Sequence, residues 1–368
     1  MTTPTTATVP DVDPVVDWTA AAQVAGHLAR PGPQASRADL DSLVEGLRTA
    51  AADAVGHVLD VTRMQPVAQG RDALGTVHVV DRPRWALANT QVMQAMTNPV
   101  AQALGPELGV PTSPAARLVG AAEVGAMLAV LSTRVLGQFD PYAGPGRLLL
   151  VAPNVLTVER SLDLRPRDFR LWVCLHEQTH ALQFAAAPWL AEHLRGRVGT
   201  LLRDVTETSV GLARAPVRKK VAALGRAVVG VISGAVRGEG ASPLNGMLTP
   251  TQKSELEEIT AVMALLEGHA DVMMDAVGPG VVRSVRTIRA RFERRRDGEG
   301  APMADVVLRR LLGMDAKLAQ YRDGAAFVRA VEERVGRDGL NAVWADAGNL
   351  PSAREVADPR AWVRRVHG

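Results

Sequence analysis

Residues 171–184 read LWVCLHEQTHALQF, and the rest of the chain is best read outward from them. Leu171, Trp172, Val173, Cys174, Leu175, Ala181, Leu182 and Phe184 make this segment apolar nearly all round, the mark of a buried helix. Yet it carries His176, Glu177 and His180 in the H-E-x-x-H arrangement. Two imidazoles and a carboxylate in such surroundings each cost on the order of a few kcal/mol unless partnered, and a metal ion supplies the partner. Side chains four residues apart share a helix face, so both rings can converge on one ion. Nitrogen ligands at about 2.0–2.1 Å suit tetrahedral zinc. Glu177 stands about 100° further round the helix, too far to ligate easily but long enough to reach a water at the metal. It is therefore placed as a general base.

A third ligand must come from elsewhere. Gln183 and Ala186 stand where an H-E-x-x-H-x-x-G-x-x-H site needs glycine and histidine, which excludes that extension. The better source is 261–277, AVMALLEGHADVMMDAV, where Glu267 and Asp271 share a helix face with Ile259 and Met263. This matches the E-x-x-x-D pattern of gluzincins, in which the glutamate binds zinc and the aspartate orients a ligand histidine. His269 projects to nearly the opposite side and is the rival ligand; Glu267 is preferred because Asp271 then has a role. Cys174 reads as buried filler, and Gln183 either bonds near the metal or packs. Tyr142 and Tyr321 read as half-buried tyrosines, and neither is named as catalytic.

The flanking chain is helical in pattern around 18–30, 37–63, 84–104 and 114–136. Turn residues follow from Gly137, and the apolar run Leu148–Val151, between Gly146 and Pro153, is the strand candidate. The metal-bearing helix runs from Pro166 or Asp168 to Ala187, stopped by Pro188. Residues 212–236 join a basic start to an apolar remainder too short to span a bilayer and interrupted by Arg226; a buried or partly mobile helix is preferred over one lying on a membrane surface. A connector at 238–247 leads to a helix with Thr249 as N-cap, Pro250 first and Gln252 third, a capping box, ending near Val277 before Gly278-Pro279. Arg289 to Arg296 read as a solvated face. The fold class expected is mainly α, an α+β body with a small β element, as one domain over 17–368 behind a loose tail at 1–16.

Composition excludes several functions. With 47% hydrophobic and 22% charged residues the 368-residue chain packs as a globular body. A formal charge of +3 leaves no footprint for nucleic acid. The single cysteine permits no intramolecular disulfide, and the N-terminus lacks both parts of a secretory signal, so cytoplasm is the expected location. Oligomeric state is not legible.

Several separated stretches agree in order with a known family: LGQFDPY, LLLVAPN, HEQTHALQF with PWL, LLEGHADVMMD, and LLGMDAKLAQYRDGAAFVRAVEERVG followed by LNAVW. Over residues 18–365 the chain resembles the zincin-like zinc-dependent metalloproteases common in actinobacteria, one branch of which is named for an association with deazaflavin coenzyme biosynthesis. The resemblance implies a zincin-like metal site on a largely helical body, with His176, Glu177 and His180 in its first motif and Glu267 to Asp271 in its second. The expected function is zinc-dependent hydrolysis, of a peptide or protein substrate if strand 148–151 pairs with an extended chain at its edge. The alternative is a latent or accessory protein with a structural metal site, which a closed set of four ligands including His269 would favour.

Overall fold

A computed structural model describes residues 16–70, 73–104, 113–210, 248–296 and 314–368. Residues 1–15 of the expected tail at 1–16, the 212–236 segment and the 238–247 connector lie outside them, and Val16, the last residue of that tail, is buried. The first half begins with helices α1 (Trp18–Leu28) and α2 (Arg37–Thr62), capped by the side chains of Asp17 and Ser36. Strand β1 (Thr76–Val80), helices α3 (Arg82–Leu104) and α4 (Pro114–Leu131), strands β2 (Gly137–Asp140) and β3 (Arg147–Val151), and helix α5 (Ala152–Ser161) follow. The metal-bearing sequence lies in α6 (Pro166–Ala186), succeeded by α7 (Trp189–Val210). The second half holds α8 (Pro250–Ala276), α9 (Val285–Arg296), α10 (Met314–Leu340) and the short helices α11 (Ala353–Ala357) and α12 (Pro359–His367).

The apolar run before α5 is the centre of the sheet, whose order is β1-β3-β2. It pairs parallel with β1, Val80 opposite Val151, and antiparallel with β2, Gly137 opposite Leu150. Leu148 and Leu150 enter one hydrophobic cluster, built with α2, α6, α8 and α10, while Leu149 and Val151 enter a second, built with α1, α3, α4 and α7. A strand with two buried faces reads as a continuous apolar run, which is why it was legible. The neighbouring strands are short, partly exposed and carry polar residues, so they escaped the same reading. Because β3 is central, the expected pairing of a peptide with residues 148–151 is excluded; the edges belong to β1 and β2. Buried Asp140 closes the β2–β3 hairpin by accepting from Arg147 Nε at 2.7 Å and from the Tyr142 amide at 2.9 Å.

Helix α6 starts at Pro166 and ends at Ala186, two residues before Pro188, where backbone geometry stops it. One side packs on α2, where the Gln178 side chain donates to the Ala51 carbonyl at 3.0 Å, and another meets α8. The start of α8 is the expected capping box, with the Thr249 amide donating to Gln252 Oε1 and the Gln252 amide to Thr249 Oγ1. Its middle is crossed by α10 so closely that a Cβ on Gly268 would lie 2.1 Å from the Gly324 carbonyl carbon. Only two facing glycines permit that approach, and it holds the turn containing Glu267 and His269 against the core. Arg289 departs from the solvated role expected of its stretch. Its guanidinium binds Asp271 and Asp275 and lies 5.4 Å from the Trp172 ring centroid, joining α9 to α8 and α6. Among the described residues no helix is long and apolar enough to cross a membrane.

Candidate metal centre

His176 and His180 emerge one turn apart on α6, and Glu267 faces them from α8. The two Nε2 atoms are 3.2 Å apart, and Glu267 Oε2 lies 3.4 Å from that of His176 and 3.5 Å from that of His180. Four ligands placed tetrahedrally at about 2.0–2.1 Å from zinc are separated by about 3.3–3.4 Å. The three donor atoms thus already stand at the spacing of one face of such a tetrahedron. Two imidazole nitrogens and one carboxylate oxygen are donors of the kind that zinc takes. Among the described residues this is the group of histidine, cysteine and acidic side chains able to share an ion, with all ligand atoms within 4.8 Å of one another. The side chains retain 21%, 13% and 15% exposure for His176, His180 and Glu267, so the cluster borders accessible space.

Electrostatics favour a cation at the same point. Burial opposes protonation of His180, but the hydrogen bond and charge of Glu267, with the charge of Glu177 and a bond to Gln183, raise its pKa to about 9. The field that holds a proton there also favours a divalent ion, which takes the proton's place.

Glu177 is buried, 6% exposed, beneath the first residue of β2, and its charge is felt at His180. A Cβ on Gly137 would fall 2.6 Å from Glu177 Cγ and 2.9 Å from Oε1. The absence of that side chain lets the edge strand pass directly over the carboxylate. No spacing rule in the sequence links residue 137 to residue 177.

The expected neighbours divide differently. Asp271 Oδ1 accepts from Arg289 Nη1 at 2.6 Å, and among the described residues its hydrogen-bond partner is that arginine, not a ligand histidine. The residue that bonds to a ligand ring is Gln183, whose Oε1 lies 2.9 Å from His180 Nδ1. Its place three residues after His180, on the same helix face, was the available signal. The rival ligand His269 lies apart from the trio: fully buried, it sets Nδ1 3.0 Å from Gln183 Nε2 and stands edge-on to Trp344. Burial, with the charges of Arg337 and His180, lowers its pKa to about 3 and keeps it neutral. Burial and the charge of Glu177 push the Cys174 thiol up, and with Sγ 3.9 Å from the Leu47 carbonyl it is inert packing. Tyr142 is raised to about 12 by burial first and by Asp140 next, and its charged neighbours lie on β2 and α7 rather than in the trio. The side chain of Tyr321 lies outside the described residues.

A family model described as zincin-like metallopeptidase matches residues 16–363. Among solved structures, "Crystal structure of a putative hydrolase with a novel fold from Chloroflexus aurantiacus" is similar at 28% identity and a TM-score of 0.62, covering 96% of this chain and 99% of that one. No curated protein matches.

Proposed function

The chain belongs to the zincin-like metallopeptidase family, and on that premise we propose that it is a zinc-dependent peptidase in which His176, His180 and Glu267 hold the metal and Glu177 is the general base. The observation that carries this reading is the set of donor separations of 3.2, 3.4 and 3.5 Å, which fit a tetrahedral ion. When bound, zinc polarises a carbonyl and lowers the pKa of water toward about 7. Glu177 accepts the proton of the attacking water on its carboxylate and returns it to the nitrogen of the leaving amine. Its burial under Gly137 keeps that carboxylate in one position and limits competing water.

A peptide is favoured over a small amide by the edge of β2. An extended chain added there gains backbone hydrogen bonds, and its scissile region passes near Gly137, directly above Glu177. A closed structural site is disfavoured, because His269, the fourth ligand it would need, is bonded to Gln183 instead.

The test combines metal analysis, a peptide library and Glu177→Ala. Purified protein is expected to hold one zinc and cleave a subset of peptides, and the variant to keep its zinc while turnover falls by about 100-fold or more. Unchanged turnover in the variant would remove Glu177 from the chemistry, and a wild-type protein that binds no zinc would end the reading altogether.

A further inference from the structure

Gln183 is fully buried on α6, and each polar atom of its side chain has a partner. Nε2 lies 2.9 Å from the Leu266 carbonyl, on the residue immediately before Glu267, and 3.0 Å from His269 Nδ1. Oε1 lies 2.9 Å from His180 Nδ1. A carbonyl oxygen can only accept, so the Leu266 contact settles which end of the amide is nitrogen. Every other proton in the chain then follows. Oε1 accepts, so His180 Nδ1 carries a hydrogen, and Nε2 is the nitrogen that faces His176 and Glu267 and whose lone pair a metal would take. The second amide hydrogen points at His269 Nδ1, so that nitrogen accepts and the neutral ring keeps its proton on Nε2.

We propose that Gln183 is a positioning residue: its amide fixes His180 in the tautomer that offers Nε2 to the metal and ties that ligand to the helix supplying Glu267. The two ends of one side chain span the two metal-bearing helices, so the relative placement of the ligands depends on it. His269 is the third member of this arrangement, a donor-orienting acceptor rather than a ligand. Its Nε2 is buried with no hydrogen-bond partner among the described residues, a cost to stability that an apolar ring would avoid. The ring earns its place through Nδ1, which holds the second amide hydrogen.

The inference rests on the metal assignment above, and the experiment separates the two. Zinc affinity is measured by competition with a chelator for wild type, Gln183→Met and Gln183→Glu, and the histidine rings are followed by long-range proton–nitrogen correlation spectra. Gln183→Met fills the space without the bonds and is expected to bind zinc about 10- to 100-fold more weakly, the usual loss when a ligand's outer partner is removed. Gln183→Glu keeps an acceptor for the His180 hydrogen but loses the bond to the Leu266 carbonyl, so it is expected to recover part of that loss, which a packing role would not produce. In the metal-free wild type, His269 is expected to show a protonated Nε2 and a bare Nδ1. Zinc binding by Gln183→Met equal to wild type, a Gln183→Glu variant no better than Gln183→Met, or a protonated His269 Nδ1 would each overturn the proposal. Should Gln183→Met fail to fold, the wild-type spectrum decides alone. A wild type without zinc would sink the functional reading, while the His269 spectrum would still decide the bonding pattern.

Discussion

Replacing Gly137 by alanine moves the base without touching a metal-binding side chain. The new Cβ would lie 2.6 Å from Glu177 Cγ, 2.8 Å from Cδ and 2.9 Å from Oε1. Ordinary carbon–carbon contact is about 3.5–4.0 Å, so the glutamate must withdraw by about 1 Å. The backbone at 137 lies outside the positive-φ region, and the three nearest atoms all belong to one side chain. Folding should therefore suffer only the cost of slight overpacking, about 1–3 kcal/mol, while a reacting group displaced by about 1 Å can lose about 100-fold in rate. Peptide hydrolysis, zinc content and thermal unfolding are measured together on wild type and Gly137→Ala. The expected outcome is a fall in kcat of about 100-fold with zinc retained and the fold intact. Wild-type turnover in the variant would show that Glu177 has room to spare and refute the account of Gly137; loss of zinc would show that the change acts through the ligands instead.

Two further outcomes follow from the neighbours of the metal centre. His269 has its pKa lowered by burial, then by Arg337 and His180, from 6.5 to about 3. Between these values the unfolded chain binds the extra proton, so this contribution to stability is complete above about pH 6.5 and is lost as pH falls toward 3, by up to about 1.4 kcal/mol per pH unit. Urea unfolding of metal-free wild type and His269→Phe should differ by that slope, and equal slopes would contradict the neutral, buried ring. Asp271→Asn weakens the bond to Arg289 and should cost about 1–3 kcal/mol of stability while leaving zinc affinity near wild type; a tenfold or greater loss of affinity in a chelator competition would restore the histidine-orienting role first expected of it.

How much was legible differs from residue to residue. Helix α6 and its two histidines could be read because their spacing is local, and Pro166 and Pro188 mark the helix bounds in the sequence itself. Thr249 and Gln252 announced the start of α8 for the same reason, since a capping box is complete within four residues. The strand at 147–151 showed as an apolar run, but its place between two partners did not, and a central strand cannot receive a peptide at its edge. The E-x-x-x-D spacing singled out a helix that packs on α6, while the partner of Asp271 lay on α9, where an arginine competed for the carboxylate.

By itself the sequence determined the mostly helical body, the buried helix bearing His176, Glu177 and His180, and the second helix bearing Glu267. Each of those follows from periodicity, capping or an i,i+4 spacing, which act within a few turns of chain. Only the tertiary structure decided that Glu267 rather than His269 faces the histidines, that Gln183 joins the two helices, and that Gly137 roofs Glu177. These contacts span 40 to more than 80 residues of chain. Close packing across that separation depends on how whole elements cross, and no local pattern of residue types encodes it.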